Sequence, residues 1–308
     1  MNITRFRIVL ILYIGTFLHI SLHAGEDGLP IYLRLKEGVK DIPIFYWRDK
    51  FINFGDYLSY VLLERILCGP VRVYQKKYNV KERKLLAIGS ILTFASGTNE
   101  ADADIIWGSG INGKLLNLKD YSFTYLSVRA VRGPLTRDFL MKNFGIEVPQ
   151  IYGDPALLIP YFFPEFVKQR SPSHEYIIIP HYSEMMLFPK EVYPQAVYPT
   201  EPWDVIIKKI LDSKFVISGS LHGIIVAEAF GIPARWLRVT WAEHAFKFMD
   251  YYLGTGRNNF QPAFSLKQAL DMGGEEPCRC NLSELYKAFP REFWPNIVFP
   301  EPDFEKRK

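Results

Sequence analysis

Residues 214–237, KFVISGSLHGIIVAEAFGIPARWL, constrain this chain more tightly than any other stretch. An apolar run over 215–217 leads into Ser218, Gly219 and Ser220. A helical pattern follows from 221 to 230, and Gly231-Ile232-Pro233 turns back into a second apolar run. That order predicts strand, tight turn, helix and strand, one step of a doubly wound parallel sheet. Ligands in such sheets lie at the carboxyl ends of the strands. The small residues let the backbone approach a ligand, and the free N–H groups of the helix's first turn offer a site for an anion. His222 stands in that first turn. Its imidazole titrates near neutrality, and a nearby anion favours the protonated form. A capping turn with an incidental histidine has the same local pattern, so the rest of the chain must decide.

Composition narrows the class. With 308 residues and 48% hydrophobic side chains, the chain can bury a sizeable core, as one large or two smaller α/β units. A net charge of +4, with dispersed rather than striped basic residues, does not describe a nucleic-acid binder. Cys68, Cys278 and Cys280 make no disulfide framework. The Cys278-Arg279-Cys280 spacing is too tight for a zinc knuckle, so no metal site is expected. At the N-terminus, Arg5 and Arg7 precede an apolar run over 8–22, with Ala24 beyond it. Residues 1–25 therefore read as a signal peptide or a short uncleaved membrane anchor, with a buried first element of the fold as the bland alternative.

Strands are expected over 42–46, 84–88, 104–107 and 121–128, then over 176–179, 215–217 and 234–239. Amphipathic helices are expected over 53–67, 134–144 and 203–211. Pro134 suits a helix start and Gly145 a helix end. Prolines at 149, 155, 160 and 164 mark a change of texture. The expected organisation is thus one Rossmann-like domain over 31–160, a second over 172–272, and a wrapping tail over 273–308 with a short helix at 283–288. Alternating strands and helices in two blocks predict an α/β fold of two Rossmann-like domains facing a cleft.

Several motifs fall at the expected strand ends. Asn53-Phe54-Gly55-Asp56 opens a helix, and Ile106-Trp107-Gly108-Ser109-Gly110 ends a strand. Val128 to Arg137 reads VRAVRGPLTR, and Tyr152-Gly153-Asp154-Pro155 precedes a break. Ile179-Pro180-His181-Tyr182 ends another strand, and Ser220-Leu221-His222-Gly223 completes the set. In this order and spacing, from about residue 45 to 257, the chain resembles the polysaccharide pyruvyl transferases, most closely the branch that places ketal pyruvate on exopolysaccharide sugars. The resemblance implies a GT-B-like architecture, phosphoenolpyruvate as donor, a hexose of a glycan or lipid-linked saccharide as acceptor, and no cofactor. One departure stands out: many relatives carry arginine at the position of Ser220.

Such a reaction must protonate the enol methylene, bring a sugar hydroxyl to the resulting oxocarbenium-like carbon, and hold a trianionic donor. Holding the trianion calls for cationic side chains and helix N-termini. His222 is the expected proton-transfer or anion-binding group. Arg132 and Arg129 are expected anion ligands, with Arg137 turned to solvent. Lys247 is a further cation if it does not simply decorate a solvated helix face. His181 is expected to orient donor or acceptor unless it is a core histidine. Asn53 and Asp56 suit capping first and acceptor hydroxyls second, and Asp154 reads as a turn former. Two other readings share the fold: a nucleotide-sugar GT-B glycosyltransferase and a catalytically silent glycan-binding relative. A basic flank before the apolar run would put an anchored catalytic part across the membrane, whereas phosphoenolpyruvate is made in the cytosol.

Overall fold

The computed structural model describes residues 42–48, 50–74 and 82–305. The expected signal or anchor at 1–25 lies outside them. The first half runs β1 (Ile44–Phe45), α1 (Phe54–Ile66), β2 (Leu85–Leu86), β3 (Ser96–Gly97), β4 (Ile105–Trp107), β5 (Ser122–Phe123), β6 (Ser127–Ala130) and α2 (Pro134–Phe144). Strands β1, β2, β4 and β6 pair in that order, all parallel. The apolar residues of the two central strands, β2 and β4, are buried on both faces, as continuous apolar runs in a parallel sheet require. The single strand expected over 121–128 divides instead. β5 leaves the main sheet to pair with β3, and β6 alone joins β4.

The second half follows a short 3₁₀ turn at Pro155–Leu158 and contains α3 (Ile159–Phe162), β7 (Ile177–Ile179), α4 (Trp203–Leu211), β8 (Val216–Ser218), α5 (Leu221–Ala229) and β9 (Ala234–Trp236). β7, β8 and β9 form a second parallel sheet in chain order. α6 (Phe246–Gly254), α7 (Leu266–Met272) and α8 (Leu282–Lys287) complete the chain. α4 buries Ile206, Ile207, Ile210 and Leu211, a single apolar stripe. α5 is different, with every residue from Leu221 to Ala227 buried, so it is a core helix. The protein is therefore α/β, with parallel sheets flanked by helices.

Apolar packing does not stop at the change of texture near residue 160. One cluster contains Ile44, Leu85 and Ile105 from the first sheet, Ile177, Val216 and Ala234 from the second, and Ala156 to Ile159 between them. The tail returns to the first sheet, where Trp107 Nε1 donates to the Leu285 carbonyl at 2.8 Å and the Phe289 ring meets Trp107 edge-on. α6 packs on α2 through a polar cluster with no exposed side chain at its centre. Arg132 and Asp250 are both fully buried. Arg132 donates through Nε to Asp250 Oδ2 (3.1 Å), and through its terminal nitrogens to Ser90 Oγ (2.5 Å) and the Ile111 carbonyl (2.7 Å). Asp250 also accepts from Thr136 N and Oγ1 at 2.9 and 2.6 Å.

Removing one partner of such a pair leaves an uncompensated charge in the interior, which costs about 3–5 kcal/mol. Asp250→Ala should destabilise the protein by about that amount, read as a lowered urea midpoint at unchanged m-value. A loss well under about 1 kcal/mol would show that the cluster does not hold α6 in place.

Candidate active site

The strand ends of both sheets and the first turns of α1 and α5 bring the motif residues together. His222 is the second residue of α5 and is buried. Its ring rests directly on Gly55 in the first turn of α1. A Cβ added to Gly55 would lie 2.0 Å from His222 Nδ1, so any side chain larger than glycine there would expel the imidazole. Ser220 caps α5 with extended backbone but makes no side-chain capping bond. Ser218 Oγ instead accepts from Ser220 N at 3.1 Å and fixes the turn. The N–H groups opening α5 therefore have no side-chain cap.

Asp154 faces His222. It sits after the Val131–Tyr152 bridge at the edge of the first sheet. Oδ1 accepts from Ala156 N at 3.0 Å, as expected of a turn former. Oδ2 does something the turn does not need: it lies 3.8 Å from His222 Nε2, and both atoms are buried without a hydrogen-bond partner. Two facing orphan atoms on different elements are rare in a settled core, where buried polar groups are paired.

Burial sets the protonation states. Desolvation, joined by the charges of Lys247, Arg132 and His181, pushes His222 down to about 3, so the imidazole is neutral. Desolvation raises Asp154 to about 7 against the opposing Ala156 N–H and Arg132. Asp56, in the first turn of α1, is raised to about 7 as well: desolvation outweighs Lys247, and Asp154 adds repulsion. The pocket thus holds two carboxyl groups poised near neutrality beside a neutral imidazole, a combination suited to proton transfer.

Two lysines and a histidine converge on Glu243. It pairs with Lys247, with Lys114 and, at 3.5 Å, with His181 Nε2. The expectation of a solvated face for Lys247 is corrected. Lys247, in the first turn of α6, is buried and pairs with Glu243 in the segment just before the helix. His181 follows β7, and its Nδ1 accepts from Ser183 N at 3.3 Å. Burial first, then Lys247 and Lys114, depress its pKa to about 4. Lys114, Lys247 and Arg132 face the two carboxylates Glu243 and Asp250, an excess of one positive charge as long as Asp56 and Asp154 stay protonated.

The remaining expected residues are placed less uniformly. Arg132 is close enough to lower the pKa values of both Asp154 and His222, yet its guanidinium is engaged internally. Arg129 pairs with Glu292 on the tail and is not brought to the others. Arg137 is half-buried and donates to the Val148 carbonyl, so the expectation of a solvent-facing side chain is corrected too. Asn53 caps α1, accepting from Gly55 N at 3.0 Å. Sequence reasoning missed the Glu243–Lys114 pair, which joins segments far apart in the chain. The Glu-x-x-x-Lys spacing of Glu243 and Lys247 was the available signal.

The sign of the linkage is specific. An acid whose pKa rises on folding leaves the native state binding more protons than the unfolded one. Its penalty is absent near pH 4 and grows as pH rises through about 7. Asp154→Asn keeps the turn but cannot ionise. It should match wild type near pH 3.5 and exceed it in stability at pH 8, measured by urea unfolding at both values. Equal stability at pH 8 would place the Asp154 pKa in the ordinary carboxylate range.

Comparison with known proteins identifies the family. The family model described as polysaccharide pyruvyl transferase matches residues 53–240. The chain is 30% identical to an uncharacterized protein of Acanthamoeba polyphaga mimivirus, over 69% of this chain and 74% of that one. It is 28% identical to the succinoglycan biosynthesis protein ExoV of Rhizobium meliloti, over 67% of this chain and 63% of that one. A solved structure of an uncharacterized Klebsiella pneumoniae protein aligns with a TM-score of 0.43 at 14% identity, over 72% of this chain and 93% of that chain, and adds nothing to the assignment. The family match takes in Asp56, Arg132, Asp154, His181 and His222 and spans well over half of the residues, so the protein belongs to the polysaccharide pyruvyl transferase family.

Proposed function

We propose that the protein transfers pyruvate from phosphoenolpyruvate to two hydroxyls of one hexose in a glycan, forming a cyclic ketal and releasing phosphate. The observation that carries this reading is the facing pair Asp154 and His222, buried and unpartnered beside Lys247, Lys114 and the uncapped start of α5. We read the architecture as GT-B-like, two Rossmann-like units whose strand ends look onto this common site.

The donor's phosphate and carboxylate lie against the opening N–H groups of α5 and the Lys247 and Lys114 ammonium groups. Arg132, held from behind, contributes its field rather than direct contact. Asp154, protonated near neutral pH, gives its proton to the methylene carbon, and positive character develops at carbon 2. A first hexose hydroxyl adds there, and its proton returns to the Asp154 carboxylate. Phosphate then leaves with the electrons of its C–O bond. A second hydroxyl closes the ketal, its proton leaving with phosphate. One hydroxyl proton thus balances the new methyl group and the other balances hydrogen phosphate. His222 relays between Asp154 and the reacting oxygen. Asp56 and Asn53 meet the acceptor side, and His181 keeps Glu243 and its lysines in register.

Incubating the purified protein with phosphoenolpyruvate and a panel of hexosides should give products heavier by one pyruvate ketal in mass spectra. Asp154→Asn should lower kcat by roughly 10²–10⁴ with donor KM within a few-fold, whereas Lys247→Met should act mainly on donor KM. Turnover of nucleotide sugars instead, or near wild-type kcat in Asp154→Asn, would overturn the reading.

A further inference from the structure

The loops that carry the site also carry an unusual concentration of exposed apolar side chains. Phe51 (58% exposed) and Ile52 follow β1, Leu115 and Leu116 follow β4, Met186 (90%) follows β7, and Trp241 (75%) follows β9. All of these loops leave the carboxyl ends of strands. They also touch one another. Glu243 binds Lys114 from the β4 loop and His181 from the β7 loop, and it lies two residues beyond Trp241. The Trp47 ring, in the β1 loop, lies 6.2 Å from Tyr182. The apolar side chains are therefore a rim around the site rather than scattered exposures, and a rim of this kind marks a contact surface.

Its charge says which contact. Arg48, Lys50, Lys114, Lys119 and Arg238 stand in the same loops. Of the carboxylates there, Glu184 and Glu243 are buried, and Asp120, Glu191 and Glu201 stand against Arg48, Lys50, Lys114, Lys119, Lys190 and Arg238, so the balance of the described residues at this surface is positive. The Arg238 guanidinium lies 3.9 Å above the Trp241 ring, a cation held on an aromatic that is itself in solvent. Aromatic and aliphatic side chains interleaved with basic ones match the boundary of an anionic bilayer, where rings enter the headgroup layer and cations meet lipid phosphates. We infer that this rim seats the protein on an anionic lipid surface with the active-site mouth facing the membrane. The seat is separate from the N-terminal apolar run and does not depend on which reaction the site performs.

The test uses the full chain and vesicles of equimolar phosphatidylglycerol and phosphatidylcholine, with bromine-labelled acyl chains as contact quenchers. The protein should co-sediment with these vesicles and release with rising salt, as screened surface charges do. Part of its tryptophan fluorescence should be quenched, and Trp241→Phe should remove that part. Leu115→Ser combined with Leu116→Ser should reduce the quenching while leaving the urea midpoint unchanged, since both residues are exposed. Binding with no Trp241 quenching would assign attachment to another segment and overturn the inference. So would absence of binding, or a concentration-dependent dimer that the same rim variants abolish.

Discussion

The buried pair Arg132–Asp250 fixes what the apolar core leaves open. Hydrophobic burial is non-directional, so the core shared by the two sheets favours compactness without setting how α6 sits on the first sheet. The pair supplies that register. Arg132 ties the ends of β2, β4 and β6 together through Ser90, Ile111 and its own backbone, while Asp250 adds α6 and the first turn of α2. A fully buried ion pair is weak support for net stability, because desolvation cancels much of the attraction. Its effect here is geometric. α6 carries Lys247, and a small slide of that helix would move the ammonium away from Glu243 and from the pocket.

Two buried carboxylates show the contrast between framework and site. Asp104 receives Lys84 Nζ, Lys84 N, Ser96 N and Ser96 Oγ, so it is saturated by its surroundings. Asp154 is as deeply buried, yet one of its oxygens has no partner and faces a nitrogen in the same condition. A folded chain can satisfy a buried aspartate, as Asp104 demonstrates a short distance away in sequence. Asp154 and His222 stay unsatisfied, with an uncapped helix start alongside, and on the proposed reading the donor completes them.

Much of the framework was legible in the sequence, and the reasons are local. α2 and α4 begin and end where proline, glycine and the apolar period place them, and α1 and α5 fall within a residue of expectation. Errors arise where distant segments decide. Residues 121–128 have the composition of one strand, but β3 draws the first part into a separate pair, which no local pattern announces. α7 went unread although Ser265 caps it through a bond to Gln268 N, because the helix is short and largely exposed. For the site, His222, Asp56 and His181 were visible at strand and helix ends. Asp154 was read as a turn former, which accounts for Oδ1. The significance of Oδ2 depends on a histidine delivered by the other sheet.

The same logic makes a neutral histidine compatible with the proposed anion site. Burial and the surrounding cations keep His222 unprotonated, and burial holds two carboxyl groups poised to carry a proton near neutral pH. All three groups respond in one direction to an incoming negative charge: each is shifted toward its protonated state. A pocket built of cations alone would attract anions but have no proton to give. One built of ordinary carboxylates would repel them. Burying the carboxyl groups raises their pKa values, which limits their negative charge beside the lysines and retains transferable protons. On the proposed reading the arrangement combines attraction for the donor with a reserve of acid, and it depends on α1, α5 and α6 being packed against the sheets.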